Sequence, residues 1–155
     1  MHRKVLRTSL CIKKTLRVKY VLKTHIEKGH FVTFVGGKMG KVLLFHVNII
    51  KANSIIKVCK ELSHSAAIIP KTDYAKPLGL LAGMPGMKDN SAFSGNEFEN
   101  EMMVFSGMSS DELDLFLDRY KKAGIGEIKR KAVLTASNML WTPVRLYGEL
   151  DEHVK

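Results

Sequence analysis

Between Met39 and Lys155, four runs of strand-forming apolar residues alternate with four segments of helical periodicity. That alternation constrains the fold more than any other feature, because strands that take turns with helices form a layered α/β sheet with parallel neighbours and right-handed crossovers. The strand-like runs are Lys41–Val47, Ser65–Pro70, Glu101–Ser106 and Lys131–Thr135. The helical segments are Ala52–Ser63, Asp73–Gly83 with Pro77 near its first turn, a third opening at Ser109, and a fourth from Thr142 to about His153. Residues 85–100 are rich in Gly, Asn and Ser and read as a loop. The third helix has the clearest ends. Ser109 and Glu112 form a capping box, Met108 and Leu113 a hydrophobic staple, and Gly124 the terminator. Leu113, Phe116, Leu117 and Tyr120 make its apolar stripe.

The two halves of this pattern resemble each other. Leu43-Leu44-Phe45 aligns with Met103-Val104-Phe105, and Ile55, Ile56 and Cys59 with Phe116, Leu117 and Tyr120. Ile68-Ile69-Pro70 aligns with Val133-Leu134-Thr135, and Pro77 with Pro143. The expected architecture is α/β: two β-α-β-α units, a possible duplication, forming one four-stranded sheet packed by helices.

Charge divides the chain differently. Residues 1–38 carry ten Lys/Arg and one acid, Glu27, whereas residues 39–155 carry fifteen basic and fourteen acidic residues. The basic character therefore belongs to an N-terminal extension, and residues 39–155 read as a single, nearly neutral α/β domain. Val35-Gly-Gly-Lys-Met-Gly40 is the residue pattern that a bacterial ribosome-binding site followed by a start codon would encode. The leading reading of residues 1–38 is thus a mis-assigned start, dispensable for folding. The alternative is a basic arm in which Arg3, Lys4, Arg7, Lys13, Lys14, Arg17 and Lys19 contact nucleic acid or an anionic membrane surface. No apolar run approaches the ~18–20 residues of a membrane span.

Familiar catalytic signatures are missing. There is no phosphate loop, no dinucleotide fingerprint, no C-x-x-C and no nucleophile elbow. His46, His64 and His153 fall at no ligand spacing, so neither a metal nor a cofactor is expected. Cys59, the only thiol after residue 38, has core neighbours at helical spacing and suits a reducing cytoplasm. The acidic cluster Glu97, Glu99 and Glu101 reads as an acid/base or cation site, or more simply as a solvated loop edge.

The segment Lys131–Pro143 has more chemistry. A strand ends at Thr135, a polar turn with Ser137 and Asn138 follows, and the only Trp precedes a capped helix. Ligands of α/β sheets bind beyond the carboxyl ends of strands, facing helix N-termini. Thr135, Asn138, Trp141 and Thr142 are therefore the candidate ligand-binding residues. Each also has a structural reading: Asn138 as a turn residue, Thr142 as a cap, Trp141 as a lid on the core.

The stretch Val104-Phe-Ser-Gly-Met-Ser-Ser-Asp-Glu-Leu-Asp, together with Lys131-Ala-Val-Leu-Thr-Ala-Ser-Asn-Met-Leu-Trp-Thr and the acidic Glu149-Leu-Asp-Glu, resembles domain-of-unknown-function family 3783 over about residues 101–155. Ala136 stands where that family commonly shows Pro. The resemblance implies a cytoplasmic prokaryotic protein and no particular activity. The functional expectation is a non-catalytic module that binds an unknown protein or small ligand. One alternative is an enzyme with its site at Thr135–Trp141, and a second is nucleic-acid binding through the basic arm.

Overall fold

The computed structural model describes residues 39–154. The basic extension, with Arg3, Lys4, Arg7, Lys13, Lys14, Arg17 and Lys19, lies outside the described residues. Strand β1 (Lys41–Phe45) leads into helix α1 (Ile49–Glu61) and strand β2 (Ser65–Ile69). A single 3-10 turn (Lys71–Asp73), a four-residue helix α2 (Leu78–Leu81) and a long loop follow. Strand β3 (Met102–Ser106), helix α3 (Ser110–Lys122), strand β4 (Arg130–Val133) and helix α4 (Pro143–Val154) complete the order.

The sheet runs β2-β1-β3-β4. β1 and β2 are parallel, as are β3 and β4, but the central pair β1·β3 is antiparallel, with Leu43 opposite Val104. The expectation of parallel neighbours therefore holds within each half and fails at the seam. The reason lies between β2 and β3. The chain runs down the sheet as far as Leu81, whose carbonyl accepts from Lys41 Nζ at the start of β1. The 83–101 loop then climbs back, so that Met102 enters opposite Phe45. A parallel crossover would have had to stay at the lower end.

Both faces of the sheet are covered, which is why its strands read as continuous apolar runs. Val42, Leu44, Met103 and Phe105 pack beneath α1 and α3, against Ala52, Ile55, Cys59, Leu113 and Phe116. Leu43, Phe45, Met102 and Val104 pack on the other side against Tyr74, Leu78, Phe98, Leu146 and Leu150. Phe98 anchors the long loop there. Its ring stacks on Tyr74 at 4.3 Å and on Tyr147 at 4.3 Å, and the Arg130 guanidinium lies 5.0 Å from the centre of the Tyr147 ring.

The internal repeat is closer than the sequence indicates. Lys41–Phe45 corresponds to Met102–Ser106, and Ile49–Glu61 to Ser110–Lys122, each 61 positions apart. The helix caps Asn48 and Ser109 share that spacing, and so do the left-handed pairs His46/Gly107 and Ser63/Gly124. β2 and β4 correspond at a spacing of 65, in the frame Ile68-Ile69-Pro70 to Val133-Leu134-Thr135. The strand alignment Leu43-Leu44-Phe45 to Met103-Val104-Phe105 is one residue out. Leu43 and Met103 lie on opposite faces of the sheet, and a one-residue slip exchanges faces.

Several element boundaries also differ from the expectation, among them β4, which runs Arg130–Val133 and so ends two residues before Thr135. β1 stops at Phe45 because His46 takes φ 55°. α1 begins three residues early because Asn48 Oδ1 accepts from Lys51 N at 2.9 Å. The helix expected over Asp73–Gly83 is broken in two, with Pro77 as the cap of α2. The capping box at Ser109 and the burial of Met108 and Leu113 are as predicted.

Candidate functional site

The residues singled out at the end of β4 form one tight turn. Asn138, only 2% exposed, uses both ends of its amide. Oδ1 accepts from Thr135 N at 2.8 Å, and Nδ2 donates to Val133 O at 3.0 Å. Leu134 N donates to Phe105 O, so alternate residues of β4 face β3 and Val133 and Thr135 face outward. The Asn138 amide thus sits where the next strand of a sheet would sit. Thr135 is buried, and Thr142 Oγ1 accepts from Arg145 N as the cap of α4. Trp141 is half-buried, its ring covered by the Arg145 guanidinium at 4.2 Å and its carbonyl accepting from Leu78 N.

A different strand end opens onto solvent. A crevice of about 620 Å³ lies beyond the carboxyl ends of β1 and β2. Val47, Ile68, Ile69 and Pro70 give it an apolar wall; Glu97, Glu99 and Glu101 line the other, and His46, Lys71 and Tyr74 also face it. Its position obeys the general rule for α/β sheets, at the end of the other parallel pair.

Each polar group there is positioned by a local feature. His46 sits in the left-handed conformation that its counterpart Gly107 adopts without a side chain. Non-glycine residues rarely tolerate that conformation, and when they do the site warrants attention. His46 Nδ1 lies 3.8 Å from Glu97 Oε2, both side chains being partly exposed. Glu101 pairs with Lys51 at 2.5 Å. Burial, then the hydrogen bond and charge of Glu97, push the Tyr74 hydroxyl well above its ordinary pKa. A tyrosine so placed stays protonated and donates. Glu97 and Glu99 flank Phe98, so the ring that anchors the loop also aims the two carboxylates at the crevice. Directly after Asn48, which lines the crevice, Ile49 and Ile50 in the first turn of α1 are 61% and 79% exposed. Their counterparts in α3 are Ser110 and Asp111.

The acidic cluster was visible in the sequence. His46 and Tyr74 were not, because nothing local marks a histidine as left-handed or a tyrosine as facing a loop more than twenty residues away. Among the described residues no three His, Cys, Asp or Glu side chains gather as a metal would require, and no helix is long and apolar enough to cross a membrane.

No curated protein and no solved structure matches this chain. Residues 101–153, the second of the two β-α-β-α units, match the family described as Domain of unknown function (DUF3783).

Proposed function

We propose that residues 39–155 act as one cytoplasmic, non-catalytic binding module that takes a small organic cation into the crevice beyond β1 and β2. The crevice itself carries the reading: Glu97 and Glu99, with Glu101 already paired to Lys51, outnumber Lys71 on its lining and face an apolar wall. An amine-bearing ligand would place its charge between Glu97 and Glu99 and its carbon chain along Val47 and Pro70. The Cys59 thiol is buried and pushed up to about 12 by that burial, which fits a core role and a reducing compartment.

Spermidine is a suitable probe, followed by calorimetry at low salt. It should bind, and binding should weaken as salt screens the exposed carboxylates. Replacing Glu97 and Glu99 together by Gln should weaken binding by about tenfold, or about 1.4 kcal/mol. Absence of binding, or equal binding by the double variant, would overturn the reading.

A further inference from the structure

The two outer strands of the sheet treat their free edges in opposite ways. An edge strand presents unpaired N–H and C=O groups, and proteins guard such edges with inward-pointing charges, short strands or a cover. β4 uses all three devices. It is four residues long; Arg130 and Lys131 point inward at 7% and 3% exposure; and the Asn138 amide occupies the outward groups of Val133 and Thr135. Burial lowers the Lys131 pKa, the cost of holding a cation at that edge.

β2 is also short, at five residues, but has neither of the other two. Its residues are Ser-Ala-Ala-Ile-Ile, with no charge and no internal proline. Ser65 N donates to Gly40 O, so Ser65, Ala67 and Ile69 face β1, while Ala66 and Ile68 turn their backbone groups outward. Among the described residues no hydrogen bond reaches those groups. Where the second half has Asn138, the first has Asp73, which pairs instead with Lys76.

We infer that the β2 edge pairs antiparallel with β2 of a second copy of this chain, joining two sheets into one of eight strands. The strand is self-complementary about Ala67. Ala66 of each copy faces Ile68 of the other, a small residue against a large one. Antiparallel pairing of the outward groups at those two positions forms about four hydrogen bonds. No like charges meet along the two strands, and the contact is isologous, as a two-fold dimer requires. The fold already contains the arrangement. At the β1·β3 seam two parallel pairs join antiparallel, with α1 and α3 packed against each other on one face. At a β2·β2 seam the two α1 helices would meet in the same way. Ile68, 44% exposed, would be covered, as would Ile49 and Ile56, which are one face of α1 by their spacing of seven.

The test is sedimentation of the full chain with two variants. Wild type should sediment at twice the mass of one chain. Ile68→Lys puts a charge on the seam at an exposed position and should be monomeric. Ala66→Pro removes an outward N–H while sparing the bonds to β1, and should also be monomeric. Leu115→Lys, an exposed apolar residue on α3, should leave the dimer intact. Hydrogen exchange gives a readout independent of any variant: the Ala66 and Ile68 amides should be protected in wild type. A monomeric wild type, a folded Ile68→Lys protein that remains dimeric, or fast exchange at both amides would overturn the inference.

Discussion

Residues 41–70 and 102–135 build the same strand, left-handed turn, capped helix and second strand, yet finish them differently. In the second half the turn after β4 folds back and Asn138 seals the strand edge. In the first half Pro70 ends the strand without an N–H to donate, the chain departs through Tyr74, and both the edge and the strand ends stay open. A repeated backbone thus leaves the functional choice to a few side chains: Asn138 against Asp73, Gly107 against His46, Ser110-Asp111 against Ile49-Ile50. The half that matches a family profile is the closed one, and the crevice is lined by the other half and the loop that follows it.

The largest break in that comparison should come from Asn138→Ala. It leaves the buried Thr135 N–H without a partner, and thermal or denaturant unfolding should show a loss of about 1–3 kcal/mol. Asp73→Ala, at the corresponding position, removes only a partly exposed pairing with Lys76 and should cost under about 1 kcal/mol. Equal losses would mean that Asn138 does not seal the edge.

The left-handed pair separates the halves next. Gly107→Ala should destabilise by about 1–2 kcal/mol, the penalty of a Cβ in that conformation. His46→Gly should be neutral or stabilising by less than about 1 kcal/mol, since it relieves the same strain. A clear destabilisation by His46→Gly would show that the imidazole contributes more to folding than its backbone strain costs.

The comparison with the smallest effect at neutral pH concerns Cys59 and Tyr120, which occupy corresponding helix positions. Burial raises Cys59 from 9.0 to about 12, and burial with the charge of Glu101 raises Tyr120 from 10.0 to about 12. In each case the folded state holds its proton more tightly. The resulting stabilisation is complete below the unfolded pKa and is lost as pH rises towards the folded one. Stability should therefore decline between pH 9 and 12, and Cys59→Ala should delay the onset from about 9 to about 10. A decline that begins at the same pH in that variant would remove Cys59 as its source.

Much of the fold was legible because its signals are local. The Ser109 capping box, the Leu113–Tyr120 stripe and the alternation of runs each lie within a few residues. The start of α1 was missed because no acidic residue marks its first turn, leaving Asn48 as the only cue. The antiparallel seam depends on where a loop returns, which no local pattern encodes. For the site, the turn-forming role of Asn138 was readable. That its amide occupies the strand edge follows only from which residues of β4 face outward, a matter of register. The Tyr74–Phe98–Tyr147 stack joins three segments far apart in sequence, and it fixes the acidic wall of the crevice.

The antiparallel seam also governs what happens while the chain is being made. β1 finds β2 within one short crossover, but its other side faces β3, which ends 37 residues after β2 does. At a translation rate of about 5–20 residues per second, that interval is roughly 2–7 s. During it the apolar run Val42-Leu43-Leu44-Phe45 has one edge unpaired, flanked only by Lys41. A nascent first half is therefore an adhesive surface until the ribosome delivers its counterpart. The residues that make the finished sheet watertight are the ones left uncovered while it is half built.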